Sequence, residues 1–152
     1  KKLGLDADRI GVMGYSAGAH LAMMVAVTEE GIPLCVSLSG PTVMSFSPSG
    51  EYASEALLYY RDLAFGKQDF TEGSPKAKLG RRCETSFLLV NGKADSIIPY
   101  AHAEAFFEEA ASLQVDAELM LADGLTHFYN AYSGIAALST EIAAWAAEKI
   151  EK

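Results

Sequence analysis

"RIGVMGYSAGAHLAMMVAV", residues 9 to 27, passes from a short apolar segment through Gly14-Tyr15-Ser16-Ala17-Gly18 into an apolar, alanine-rich segment. The first part reads as a buried strand and the second as a helix, Ser16 to Glu29, in which Leu21, Met24, Val25 and Thr28 recur at helical spacing. A residue held at so tight a strand-to-helix turn takes a strained backbone conformation, and neighbours two positions away crowd it unless they lack side chains. Gly14 and Gly18 meet that need. Such a turn projects Ser16 Oγ away from the sheet and lets the amide of Ala17, at the helix start, point at a developing oxyanion. The five-residue pattern alone arises by chance in roughly one chain in twenty of this length. Its place between a strand and a helix is therefore what carries weight. The plainer alternative is a serine N-cap flanked by turn glycines.

Outward from this point the chain alternates. "IPLCVSLSG" (32 to 40) reads as a second buried strand, "SFLLVNG" (86 to 92) as a third and "DAELMLA" (116 to 122) as a fourth, with helices at about 99 to 113 and 135 to 150. Between the second and third strands, residues of about 41 to 82 form a cap-like insertion: "GPTVMSFSPSG" is turn-rich, "SEALLYYRDLAF" looks helical and "GKQDFTEGSPKAKLG" returns to turns. Strands alternating with helices imply right-handed crossovers, a mainly parallel sheet and an α/β class. In such sheets function gathers at the carboxyl ends of the strands. Ser16, Asp95 and His127 fall there, after the first, third and fourth strands.

Serine is a weak nucleophile and needs a base, and the base needs an acid that fixes its tautomer. Of the three histidines, His127 in "ADGLTHFYN" follows the last strand, where an imidazole reaches across the carboxyl edge. His20 lies on the same helix as Ser16, beneath the turn, and reads as a packed or hydrogen-bonded helix residue. His102 comes early in the helix after Pro99 and reads as a solvated position. For the acid, Asp95 in "LLVNGKADSIIP" follows a strand and a glycine turn, with capping of that turn as its alternative role. Asp123, in the His127 loop, is the runner-up, while Asp62 and Asp69 in the insertion read as solvated. The chain order Ser16, Asp95, His127 is that of an α/β-hydrolase triad.

Composition limits the other function classes. The chain has 152 residues, half of them hydrophobic, and a formal charge of -8. It suits one globular domain, and its acidity argues against nucleic acid or an anionic membrane surface as partner. Cys35 and Cys83 form no ligand cluster and read as packing residues. No metal or cofactor is expected. No apolar run approaches the ~18 residues of a membrane span, and the start does not read as a signal peptide. The compartment expected is the cytoplasm. Because "KKLGLDADRI" opens without Met, an upstream targeting segment stays open.

The segments "DADRIGVMGYSAGAHLA", "SLSGPTV", "SPKAKL", "FLLVNGKADSIIPYAHAEAFFEEAASLQVDAELM" and "GLTHF" together resemble the carboxyl-terminal half of α/β-hydrolase esterases of the acetylxylan and feruloyl esterase-like group. The resemblance implies a three-layer sandwich truncated to about four strands, with Ser16 as nucleophile, Asp95 as acid and His127 as base. It also implies hydrolysis of short-chain, acetyl-type esters, carbohydrate esters among them. A prolyl-oligopeptidase-like serine peptidase shares the fold and triad order and is the alternative. Ala19 stands where the group usually has a further glycine, and "LTHF" lacks the glycine that commonly precedes the histidine.

Such enzymes carry further strands before the serine turn, and a His-Gly-Gly type loop that supplies a second oxyanion donor. Neither is in this sequence. Without them the first strand becomes a long apolar edge. The expectation is a fragment of a longer enzyme, or a chain whose edge is covered by homo-oligomerisation or by a partner. A truncated, non-catalytic module that self-associates is the third reading.

Overall fold

A computed structural model of the protein describes residues 6, 9–66 and 70–150. Four strands, β1 (Val12–Tyr15), β2 (Leu34–Leu38), β3 (Ser86–Gly92) and β4 (Ala117–Ala122), form one sheet in the order β1-β2-β3-β4, every neighbouring pair parallel. Five helices accompany them: α1 (Ala17–Thr28), α2 (Glu55–Phe65), α3 (Pro75–Lys78), α4 (Ala101–Leu113) and α5 (Ile135–Ile150). The α/β class and the four parallel strands read from the sequence are those observed.

The inner strands are buried on both faces, as parallel strands under helices must be, and their alternation divides the core in two. Cys35, Phe87 and Leu89 face α1 and α4, meeting Ala22, Met23, Ala26, Ala103, Phe106 and Ala110. Leu34, Val36, Leu88 and Val90 face the other way, against Leu138 and Trp145 of α5 and against Leu125. Three layers result. Cys35 and Cys83 are both free thiols, the first inside the α1–α4 core and the second packed against it.

The helix read from Leu21, Met24, Val25 and Thr28 is observed as α1, with Leu21 and Val25 exposed and Ala19, Ala22, Met23 and Ala26 packed inward. A helix apolar all round gives no stripe to choose by, and close approach to β1 and β2 selects the small residues. The turn-rich tail of the insertion also contains α3, a single helical turn with Pro75 in its first turn, where a missing N–H costs nothing. Asp69 lies outside the described residues. Asp62 is half-buried, paired with Arg61.

β1 stands at the edge of the sheet. Ile10, Met13, Tyr15, Leu21 and Val25 around it are all exposed, which is an apolar surface of the kind a monomer rarely leaves open.

The serine turn depends on one of its two glycines. A Cβ on Gly14 would overlap the Gly18 carbonyl, whereas a Cβ on Gly18 meets nothing within 4 Å. Gly14→Ala should therefore destabilise the fold by about 3 kcal/mol or more, through forced displacement of α1 from β1. Gly18→Ala, in the first helical turn, should be neutral or stabilising by up to about 1 kcal/mol. Urea denaturation of the two variants checks the contrast.

Candidate active site

Ser16 joins β1 to α1 with φ 55° and ψ −122°, a conformation costing a non-glycine residue about 1–3 kcal/mol. Its amide donates to the Leu38 carbonyl (2.8 Å) and its carbonyl accepts from the His20 amide (3.1 Å), so the strain is held by the ladder on one side and the helix on the other. The serine side chain makes no N-cap hydrogen bond. It points instead across the carboxyl edge, where Ser16 Oγ lies 3.0 Å from His127 Nε2. Ala17 is the first residue of α1, and its N–H belongs to the group that has no partner within a helix. Helix dipole and free amide together favour negative charge there.

His127 lies beyond β4, with its ring Nδ1 2.9 Å from Asp95 Oδ2. Asp95 follows β3. Its other oxygen, Oδ1, accepts from the amides of Ile97 (2.9 Å) and Ile98 (2.8 Å). One oxygen therefore caps the turn and the other meets the imidazole. Burial alone would raise the carboxyl pKa, but hydrogen bonds from His127, Ile98, Ser39 and Ile97 outweigh it and hold the group below the ordinary carboxylate range. An ionised Asp95 only accepts, so Nδ1 carries the proton and Nε2 presents its lone pair to Ser16. A hydroxyl, a neutral imidazole and a carboxylate in this order can move the hydroxyl proton to Nε2 as the oxygen attacks an acyl carbon.

The structure brings together Ser16, Asp95 and His127 and leaves the other candidates elsewhere. Asp123 is exposed and pairs with Lys93 at 2.9 Å. His20 is buried, its Nδ1 donating to the Pro41 carbonyl at 3.0 Å. Three neighbours were not singled out by the sequence. The Tyr15 hydroxyl donates to the His127 carbonyl at 2.6 Å. Tyr129 donates to the Val90 carbonyl at 3.0 Å and lies 3.1 Å from Ser39 Oγ. Ser39, fully buried, is a second strained residue with φ 49°. The available signal was position, since Tyr15 precedes the serine and Tyr129 follows the histidine by two, but a lone tyrosine says nothing of where its hydroxyl points.

This fold, with a serine, histidine and aspartate relay at its carboxyl edge, defines a chain of the α/β-hydrolase class. It belongs to the prolyl oligopeptidase family, whose model matches residues 1–152. No curated protein matches the sequence. Among solved structures, an uncomplexed acylaminoacyl peptidase of Pyrococcus horikoshii superposes with a TM-score of 0.86 at 15% identity, over 97% of this chain and 25% of that one. A truncated carbohydrate esterase from gut microbiota gives 0.77 at 18%, over 99% and 63%. An acetyl ester-xyloside bifunctional hydrolase from Caldicellulosiruptor lactoaceticus gives 0.72 at 20%, over 99% and 57%. At these identities the likeness is one of fold. The chain spans about a quarter of the peptidase's length and less than two thirds of the two others. None of the helices described is long and apolar enough to cross a membrane.

Behind the site, His102 corrects the expectation of a solvated position: it is fully buried. Its Nδ1 accepts from the amides of Thr42 and Val43, both at 3.3 Å, and its Nε2 donates to the Tyr52 carbonyl at 3.0 Å. Phe46 and Tyr52 pack on the ring, so these aromatic residues of the insertion serve as packing. Burial lowers the His102 pKa to about 4. The unfolded chain, with a histidine near 6.5, binds this proton first. Stability should consequently fall as pH drops from about 6.5 to about 4, by roughly 3 kcal/mol at most from this group. Urea midpoints across that window should show the loss, and His102→Gln, less stable at neutral pH, should show a flatter dependence.

Proposed function

We propose that the chain is a serine esterase acting on short-chain, acetyl-type esters, carbohydrate-borne ones included. The observation that carries this reading is the continuous relay from Ser16 Oγ through His127 to Asp95, at 3.0 and 2.9 Å. Ser16 attacks the ester carbonyl as His127 Nε2 takes its proton. The imidazolium then protonates the leaving alcohol, and water, activated by the same nitrogen, releases the acid from the acyl-enzyme. Asp95 stays ionised throughout and stabilises the imidazolium. The Ala17 amide meets the oxyanion.

A second reading, serine peptidase, is favoured by the family match and the peptidase neighbours. Both readings use the same relay and the same Ala17 donor, so the substrate separates them: amides have poorer leaving groups than activated esters and draw more on oxyanion stabilisation.

Hydrolysis of p-nitrophenyl acetate should be measurable for the wild-type chain and reduced to background, by about 10³-fold or more, in Ser16→Ala. Equal rates in the two would exclude Ser16 as nucleophile. Release of p-nitroaniline from acyl-peptide anilides faster than p-nitrophenol from the acetate would favour the peptidase reading.

We also propose that the apolar residues exposed at the β1 edge are covered, by a second copy of the chain or by a preceding segment. In the first case sedimentation velocity should show a concentration-dependent dimer that Leu21→Glu shifts to monomer, and a wild-type monomer at high concentration would exclude the second copy.

A further inference from the structure

We propose that Tyr15 is a positioning residue that ties the base to the strand carrying the nucleophile, and this rests on the relay reading given above. His127 is separated from Ser16 by 111 positions and sits in the loop between β4 and α5, so its imidazole is only as well placed as that loop. Three anchors hold it. Ahead of the histidine, Leu125 is fully buried and its carbonyl accepts from the Ala94 amide at 3.1 Å, fastening the loop to the end of β3. Behind it, the Tyr129 hydroxyl fastens the loop to Val90, also on β3. Both anchors fix the loop relative to β3, which also leads into Asp95.

Among the described residues, Tyr15 supplies the hydrogen bond from β1 to the loop. It is the last residue of that strand and the covalent neighbour of Ser16. Its hydroxyl donates to the His127 carbonyl at 2.6 Å, and its ring lies against the imidazole with centroids 5.0 Å apart and planes tilted by 36°. Tyr129 meets the Tyr15 ring edge-on at 5.6 Å and limits its rotation. The phenol thus fixes the main chain of His127 while the ring fixes its side chain, and any shift of β1 carries Ser16 and its base together. As the imidazolium forms, the aromatic face beside it also favours the positive charge. Burial and the charge of Asp95 push the Tyr15 phenol up, which keeps it a donor. Tyr15 is 42% exposed, so the core does not depend on it.

Tyr15→Phe removes the hydroxyl and keeps the ring, while Tyr15→Ala removes both. With p-nitrophenyl acetate, kcat should fall about 10-fold in the first and about 100-fold in the second, the scale expected of a misplaced catalytic group, with KM changed less than about twofold. Proton NMR of the free protein should show the low-field resonance of the His127 Nδ1 proton, moved or broadened in Tyr15→Phe while the melting temperature stays near that of wild type. An unaltered resonance together with unaltered kcat in Tyr15→Phe would overturn the proposal, as would a loss seen only in KM, which would make Tyr15 a substrate contact. Ser16→Ala measured alongside separates the two readings. If it hydrolyses as fast as wild type, the esterase reading fails, and the resonance still decides whether Tyr15 positions His127.

Discussion

The close approach of α1 to the end of β1 is the constraint on which the site depends. Gly14 leaves no room for a side chain against the Gly18 carbonyl, and that proximity forces the chain to reverse over Ser16 within one residue. The cost appears as the strained backbone of Ser16. It is borne by the ladder bond from the Ser16 amide to Leu38 and by the small-residue face of α1 against β1 and β2. A wider turn would relieve the strain and withdraw Oγ from the carboxyl edge. Strain at this residue and reach across the sheet are one geometric fact.

The electrostatic counterpart is Asp95. A carboxylate taken out of water is stable as an anion only if its lone pairs are met by donors, and here two amides, a serine hydroxyl and an imidazole meet them. Each hydrogen bond to a charged acceptor is worth about 1.5–3 kcal/mol. Several together exceed the penalty of burial. Their combined effect is to fix the imidazole tautomer, because a group that only accepts forces the proton onto Nδ1. The neighbouring histidines solve the opposite problem. His102 and His20 sit in surroundings that oppose a positive charge and act as neutral polar pegs between α1, α4 and the Pro41–Val43 segment.

The fold over most of this chain is that of larger solved structures, and among the described residues β1 lies at one edge of the sheet. Strands of a parallel sheet are normally covered on both faces, yet Met13 of β1 and Leu21 and Val25 of α1 face solvent at this edge. The same edge borders the serine turn, where Ala17 and Gly18 are exposed.

By itself the sequence determined the α/β class, the order and approximate limits of all four strands, and three residues that meet at one edge. It did so because each signal is local: short continuous apolar runs, a glycine two positions from a serine, an aspartate just past a glycine turn. Local signals failed where they were ambiguous or silent. An all-apolar α1 did not say which side would be buried, since that was decided by how closely β1 and β2 approach it. His102 read as a surface residue because the insertion that buries it, through Phe46 and Tyr52, is distant along the chain. The hydrogen bonds of Tyr15, Ser39 and Tyr129 span the ends of different strands. Only the tertiary structure decided these, because a hydroxyl or imidazole acquires a role from what stands within 3 Å of it, and that is set by the packing of the whole sheet.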